Sequence, residues 1–185
     1  MLDFTLSALG DFVKGTTVAR MQIQRKENKI VDGKTNDIVE TVPVDVPDLI
    51  SVHGQLTSPS NHLAEDATMS IRFRRGQPFK GEPDLLWHIN CEKGEIRLRS
   101  FGGVSLQANA DNPPPEIQIH HFADYTVEDV PWERPKEQAN VPLVARGVMS
   151  CLYALAEGNA DGWVSLEDAV HRAEQIEGWT TDGKW

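Results

Sequence analysis

The sequence predicts an α+β fold: an open, mainly antiparallel β-sheet with helices packed on one face. Three observations predict it, namely a helical pattern at the start of the chain, alternating segments in the middle, and two helical patterns at the end. No helical pattern lies between successive strand patterns, which disfavours the βαβ units of an α/β protein. At 185 residues the chain has the usual length of one domain, so we expect a single domain over residues 1–185.

Apolar residues at helical spacing predict three helices. The helices cover residues 2–14, 140–158 and 165–178, and we expect Gly15, Gly158 and Gly178 to end them. The stripes expected to face inward are Leu2, Leu6, Leu9 and Val13 in the first helix; Val144, Val148, Leu152 and Leu155 in the second; and Leu166, Ala169, Ala173 and Ile176 in the third.

Alternation of apolar and polar residues predicts the strands. They cover residues 18–24, 38–46, 49–57, 67–74, 85–91, 95–100 and 117–122. In the 49–57 strand, Val52 and Leu56 lie on the apolar face, whereas His53 and Gln55 lie on the polar face. The 85–91 and 95–100 strands flank a short loop that ends in Gly94, which is typical of a hairpin.

Composition and charge exclude several classes of function. The net charge is −10 and the longest basic run is Arg74-Arg75, so nucleic acid is not an expected partner. No apolar run approaches a membrane span, and the first residues lack the pattern of a secretory signal. Two cysteines give no disulfide framework. These features predict a soluble, cytoplasmic protein that does not associate with membranes.

Three motifs resemble a known family. Residues 47–56 are similar to a "P-D-x-x-x-x-x-G-x-L" strand, residues 86–96 to a "W-x-I-x-G-x-K-G-E-I" hairpin, and residues 165–170 to an "s-f-e-D-A-v" helix start. Together they resemble the C-terminal domain of the glucose–fructose oxidoreductase/inositol dehydrogenase (Gfo/Idh/MocA) family. The nearest branch is fungal and includes the galactose-pathway repressor.

The resemblance implies a chain without hydride chemistry. Met1-Leu2-Asp3 looks like the end of the family's "G-H-x-x-D" stretch, so the family's catalytic His would lie immediately before residue 1. No two of the 14 glycines lie two positions apart, so a G-x-G-x-x-G phosphate loop is absent from the sequence. We therefore expect no NAD(P) cofactor, and the spread of the six histidines gives no reason to expect a metal.

A cofactor-independent enzyme is the leading functional hypothesis. We expect it to act on a small, largely apolar molecule in an isomerisation or a cyclisation, including a pericyclic one, in fungal secondary metabolism. The predicted site joins the polar face of the 49–57 strand to the 85–100 hairpin. Its proposed catalytic residues are His53 and His88, and its substrate-binding residues are Trp87, Asn90 and Gln55.

Other interpretations stay open. The polar strand residues also fit the wet side of a sheet, and Trp163, Trp179 and Trp185 near the end of the chain can cover apolar surface or line a ligand site. The chain can also be a non-catalytic, small-molecule-binding or regulatory module, or an inactive fragment of an NAD(P)-dependent oxidoreductase. In each case we expect a homodimer formed through the open sheet face.

Overall fold

The computed structural model describes residues 2–58, 62–103, 113–131, 141–142, 145–159 and 164–182. The elements are α1 (Leu2–Leu9), β1 (Asp11–Phe12), β2 (Val18–Gln22), β3 (Glu27–Val31), β4 (Ile38–Pro43), β5 (Leu49–Thr57), β6 (Thr68–Arg74), β7 (Leu85–Asn90), β8 (Gly94–Ser100), β9 (Glu116–His121), β10 (Val127–Asp129), α2 (Arg146–Glu157) and α3 (Leu166–Asp182). Open antiparallel sheets with a few helices confirm the predicted α+β class.

The chain forms two compact units. Unit 1 comprises Met1–Gly76 and Leu166–Trp185, and unit 2 comprises Gln77–Ser165. Unit 1 contains two β-sheets and the helices α1 and α3, whereas unit 2 contains one β-sheet and α2. The expectation of a single domain over residues 1–185 stays a prediction.

Strand β5 is the centre of the first sheet. It pairs antiparallel with β6 over its length, with β2 over its first half and with β1 at its end. The register places Ala19 beside Val52 and Val52 beside Ile71, so one face of the three strands is apolar. The opposite face carries His53 and Gln55, as the alternation predicts.

The hydrophobic core of unit 1 lies on the apolar face of this sheet. Its buried residues are Leu6, Phe12, Ala19, Val52, Leu56 and Met69. Leu6 belongs to α1, and Trp179 of α3 packs against the same cluster. Helices and sheet therefore share one core in unit 1, which is the arrangement that an amphipathic helix needs in order to bury its stripe.

Helix α1 ends at Leu9, so the expected continuation through Val13 is wrong. Gly10 has φ +97°, and its N–H donates to the Leu6 carbonyl at 2.7 Å. A Cβ atom at this position would lie 2.2 Å from the Thr57 carbonyl oxygen. Only glycine fits this conformation and this close approach, and the chain can then pair as β1 with the end of β5.

The sheet of unit 2 has the strand order β10-β9-β8-β7 and is antiparallel throughout. Its register creates one apolar and one polar face. The apolar face carries Trp87, Ile89, Ile96, Leu98, Ile117 and Ile119, all half-buried. The polar face carries paired side chains, including Arg97 and Gln118, whose Nη2 and Oε1 atoms lie 2.5 Å apart.

In the last two helices, the described residues that were expected to face inward are exposed. In α2, Val148, Leu152 and Leu155 are 60%, 52% and 62% exposed, and Ala154 is buried instead. In α3, Leu166, Ala169, Ala173 and Ile176 are exposed. The half-buried side of α3 holds Arg172, Gln175 and Trp179, because Arg172 pairs with Asp11 of β1 and Trp179 packs on the core.

Helix ends agree in part with the sequence. Gly158 caps α2, as expected, whereas α3 continues past Gly178 to Asp182. The expected cap Asn140 and the stripe residue Val144 lie outside the described residues. The strands β1, β3 and β10 were not predicted.

Candidate functional site

His53 and Gln55, two of the predicted site residues, lie on the outer face of the first sheet. The Nδ1 atom of His53 lies 2.8 Å from the hydroxyl oxygen of Ser70 on the neighbouring strand β6. The amide of Gln55 donates to the Asp66 carboxylate at 3.0 Å. His53 is exposed and Gln55 half-buried, so both are accessible, but each already has a partner: Ser70 of β6 for His53 and Asp66, in the turn before β6, for Gln55.

The other three predicted residues lie on β7, on two different faces. His88 and Asn90 belong to the polar face, where Nδ1 of His88 lies 2.7 Å from the Glu95 carboxylate of β8. Trp87 belongs to the apolar face, opposite Leu98. A ligand on one face of this sheet would therefore contact either Trp87 or the His88–Asn90 pair.

The five predicted residues are divided between the two units. His53 and Gln55 lie in unit 1, and Trp87, His88 and Asn90 lie in unit 2. Their roles in catalysis and binding stay predictions.

A cleft beside α3 is a second candidate, and it lies within unit 1 alone. Its volume is about 390 Å³, which suits a small organic ligand. We call it the α3 cleft. It is lined by Phe12, Lys14, Gly15 and Thr17 from the β1–β2 region and by His171, Glu174, Gln175, Gly178 and Trp179 from α3.

The wall of the α3 cleft is aromatic. The rings of Phe12 and Trp179 meet edge to face, with centroids 5.7 Å apart and an interplanar angle of 82°. Both residues also belong to the core of unit 1 or pack against it, so their positions are held by packing. Gly178 contributes open space, since a Cβ atom at this position would have no neighbour within 4 Å.

The polar side of the α3 cleft is a connected set of side chains. Arg172 pairs with the Asp11 carboxylate and also lies 3.4 Å from Oε1 of Gln175. This contact orients the Gln175 amide so that its Nε2 lies 3.2 Å from Nε2 of His171. Gln175 and His171 are therefore within hydrogen-bonding distance of each other, and the direction of this bond depends on the tautomer of the ring.

Charge in the α3 cleft is balanced. Lys14 and Glu174 contribute one charge of each sign. The second Asp11 oxygen lies 3.7 Å from Nε2 of His171. The site can therefore hold an apolar body against Trp179 and offer a histidine that exchanges protons.

The described residues contain neither a metal-ligand cluster nor the parallel-sheet turn that holds a dinucleotide. They contain no group of three or more His, Cys, Asp or Glu side chains placed to hold a metal ion. A dinucleotide site needs a strand, a glycine turn and a helix from a parallel sheet. Every strand pairing in the described residues is antiparallel, so these residues do not fit the cofactor of the wider oxidoreductase class.

The residues of the α3 cleft were missed by the sequence analysis, apart from Trp179. A signal was present: His171, Glu174, Gln175 and Gly178 recur at steps of three, one and three, followed by Trp179, which places them along one side of a helix. The apolar stripe of the same helix was followed instead. Trp163 and Trp185, the other two tryptophans of the expected cluster, lie outside the described residues.

Fold and motifs together define the class of this protein as the C-terminal, antiparallel-sheet type of domain found in glucose–fructose oxidoreductase/inositol dehydrogenase-type proteins. A family model described as the C-terminal domain of Gal80p matches residues 1–100. The chain belongs to this Gal80p C-terminal domain-like family, which confirms the resemblance seen in its motifs.

Solved structures agree with this assignment. Two crystal structures of super-repressor mutants of Gal80p from Saccharomyces cerevisiae, each 17% identical to this chain, align with TM-scores of 0.59 (the E351K mutant) and 0.62 (the G301R mutant). The alignments cover 90% and 97% of this chain but only 39% and 44% of the solved chains, so the chain spans less than half of either. No curated protein matches the sequence. No helix in the described ranges has the length and hydrophobicity of a membrane span.

Proposed function

We propose that the chain is a cofactor-independent enzyme that binds a small, largely apolar molecule in the α3 cleft and isomerises or cyclises it. The observation that carries the proposal is the histidine beside the aromatic wall: His171 lines the same 390 Å³ cleft as Trp179. A cleft with an aromatic wall on one side and several polar groups on the other suits reactions that need orientation and a proton transfer.

His171 is the proposed proton-exchanging residue. Its ring would take a proton from the ligand at one nitrogen and return a proton to the ligand from the same nitrogen, while Nε2 lies 3.2 Å from the Gln175 amide and 3.7 Å from the Asp11 carboxylate. Gln175 contacts the ring and Arg172 contacts Gln175, so both act as positioning residues. The protons balance, because one proton leaves the ring and one returns to it, with no net oxidation of the ligand.

Proton exchange into a model ketone tests the proposal. The neutral bicyclic ketone 2-tetralone exchanges its α-protons with heavy water, and NMR follows the rate. We expect the full chain to accelerate the exchange, and His171→Ala to lower the acceleration about a hundredfold, as is usual when a general base is lost. His62→Ala is the matched control, since His62 is an exposed histidine of the same unit. Equal rates for the two variants would contradict the proposal.

A second pair of variants tests where the ligand binds. Gly178→Phe would fill the α3 cleft, because a Cβ atom there meets open space. Gly147→Phe adds the same ring to α2, also into open space, but in unit 2. We expect only the first to abolish binding of 2-tetralone in ligand-observed NMR. Equal binding by both variants would show that the ligand does not bind in the α3 cleft.

A non-catalytic regulatory module is the alternative that the family favours. The two solved relatives are described as super-repressor mutants of Gal80p. In that case the α3 cleft would bind its ligand without turnover. Binding that is lost in Gly178→Phe, together with exchange rates that are the same for the wild type and His171→Ala, would select the regulatory module over the enzyme. An inactive part of an NAD(P)-dependent oxidoreductase, the third possibility, would neither bind the ketone nor accelerate its exchange.

A homodimer is also part of the proposal. The apolar face of the unit 2 sheet holds six half-buried apolar residues, among them Trp87, Leu98 and Ile119. A second copy would cover such a face through a two-fold interface. Light scattering should give twice the chain mass of 20.6 kDa. Ile119→Glu should give the monomer mass, and a monomeric wild type would refute the dimer.

A further inference from the structure

A basic cavity in unit 1 lies apart from the α3 cleft. It has a volume of about 640 Å³ and is lined by Arg25, Glu27, Asn28, Lys29 and Arg75. Residues 20–29 and 72–75 contain seven of the 18 Lys and Arg residues and only one acidic residue, in a chain of net charge −10. Positive charge is therefore concentrated in this part of the molecule.

Asp48 holds the two arginines of this cavity beside each other. Its carboxylate accepts the backbone N–H groups of Gln24 at 2.7 Å and of Arg25 at 3.0 Å. Its carbonyl oxygen accepts the N–H of Arg75 at 2.7 Å. Asp48 is only 8% exposed, so these bonds are shielded from competing water. One buried residue thus fixes two backbone positions that are 50 residues apart in the sequence.

The β3–β4 hairpin supplies the remaining donors. Asn28 and Lys29 lie on β3, whose pairing with β4 places them beside Val42 and Thr41. The Val44 N–H donates to the Lys26 carbonyl at 3.0 Å. This bond extends the pairing of the two strands at the end of the hairpin that is opposite the turn. Arg25, Lys29 and Arg75 are the three cations of the lining, and Glu27, on the same side of β3 as Lys29, is its one carboxylate, whereas the side chain of Asn28 belongs to the other side of the strand. The lining has a net charge of +2, and the adjacent Asp48 carboxylate offsets part of the charge of Arg25.

We propose that this cavity binds the phosphate group of a small molecule. Guanidinium groups bind phosphate oxygens in a bidentate manner, and the positive lining would attract a phosphate group. The concave shape favours a small molecule over a long polyanion, which the overall charge of −10 would repel. Carboxylate groups can also pair with guanidinium groups, and the experiment below distinguishes phosphate ligands from carboxylate ligands.

Isothermal titration calorimetry of the full chain with inorganic phosphate, and separately with acetate, tests the site. We expect phosphate to bind at least about tenfold more tightly than acetate, since a dianion with three acceptor oxygens engages both arginines. Arg75→Gln and Arg25→Gln should each weaken phosphate binding about tenfold. Arg72→Gln is the matched control, because Arg72 is an exposed arginine of the neighbouring strand and does not line the cavity.

Three results would overturn the proposal: no phosphate binding by the wild type at millimolar concentration, equal affinity for acetate, or an equal loss in Arg72→Gln. If an arginine variant fails to fold by circular dichroism, Lys29→Gln replaces it with the same expected loss. Gly178→Phe should bind phosphate like the wild type, which keeps this site distinct from the α3 cleft.

Discussion

The two four-stranded sheets differ in how they are stabilised. The first sheet covers a buried core to which α1 and α3 contribute Leu6 and Trp179. The second sheet buries no large apolar side chain among its described residues, and its polar face carries cross-strand pairs such as His88–Glu95 and Arg99–Glu116. Hydrophobic burial thus dominates unit 1, whereas backbone ladders and weak, exposed pairs hold the sheet of unit 2.

The largest difference should appear when core leucines are shortened. Leu6→Ala removes a fully buried side chain of unit 1 and should lower the free energy of unfolding by about 3 kcal/mol. Leu98→Ala removes a half-buried side chain of unit 2 and should cost about 1 kcal/mol. Urea denaturation followed by circular dichroism measures both. Equal losses would mean that the unit 2 sheet is as well covered as the core of unit 1.

Two aspartates offer a pH-dependent comparison. The backbone N–H of Gln24, followed by that of Arg25, holds the pKa of Asp48 below its usual value. In unit 2 the hydroxyl and then the N–H of Thr126 lower the pKa of Asp124. Each contribution to stability is present above the ordinary Asp pKa and is lost as the pH falls through the lowered pKa of the folded state.

We therefore expect Asp48→Asn to be less stable than the wild type near neutral pH, and the gap to close as the pH falls below the ordinary Asp pKa. Asp124→Asn, in an exposed turn, should show a smaller gap of the same sign. Thermal unfolding across the acidic range measures both. A gap for Asp48→Asn that does not depend on pH would show that its carboxylate charge is not what stabilises the fold.

Glycine replacement compares the two long helices. Gly178 lies within α3 and Gly147 near the start of α2, and a Cβ atom would meet nothing at either position. Gly178→Ala should stabilise the chain by about 1 kcal/mol, the usual helix preference of alanine over glycine, and Gly147→Ala by less, because it lies in the first turn. A loss of stability in Gly178→Ala would mean that the added methyl group meets other atoms, so that the space beside Gly178 is not open.

The smallest effect should come from an exposed pair in unit 2. His121 and Glu128 lie 3.1 Å apart, with side chains 43% and 60% exposed. Glu128→Gln should change the free energy of unfolding by about 0.5 kcal/mol or less. A loss above about 1 kcal/mol in urea denaturation would show that such pairs contribute more to this sheet than solvent exposure suggests.

Local sequence patterns predicted the features of the fold that depend on neighbouring residues, such as the bounds of a strand. They failed for features that depend on contacts between residues far apart in the sequence. Strand β5 has its predicted bounds, because its alternation is strict and Pro47-Asp48 precedes it. The side of α3 that faces its own unit depends on Asp11, which lies 161 residues away from Arg172, and no helical period contains that information.

The same limit applies to the candidate sites. The sequence places His53 and His88 in segments that combine aromatic, imidazole and amide groups, and the structure places each beside a partner on the adjacent strand. The α3 cleft joins β1 to the last helix, and the basic cavity depends on Asp48, so both required the fold to be known. The family resemblance, by contrast, could be predicted from three short motifs.

The end of α1 also determines which sequences can encode this fold. Position 10 combines a φ of +97° with a carbonyl oxygen where a side chain would begin, so every replacement of Gly10 should be rejected in a saturation library. Gly15 has a similar φ of +83° but open space around it, so asparagine and aspartate should survive there. Gly10 and Gly15 are five residues apart. Gly10 is required both by its backbone angle and by the atoms around it, whereas Gly15 is required by its backbone angle alone.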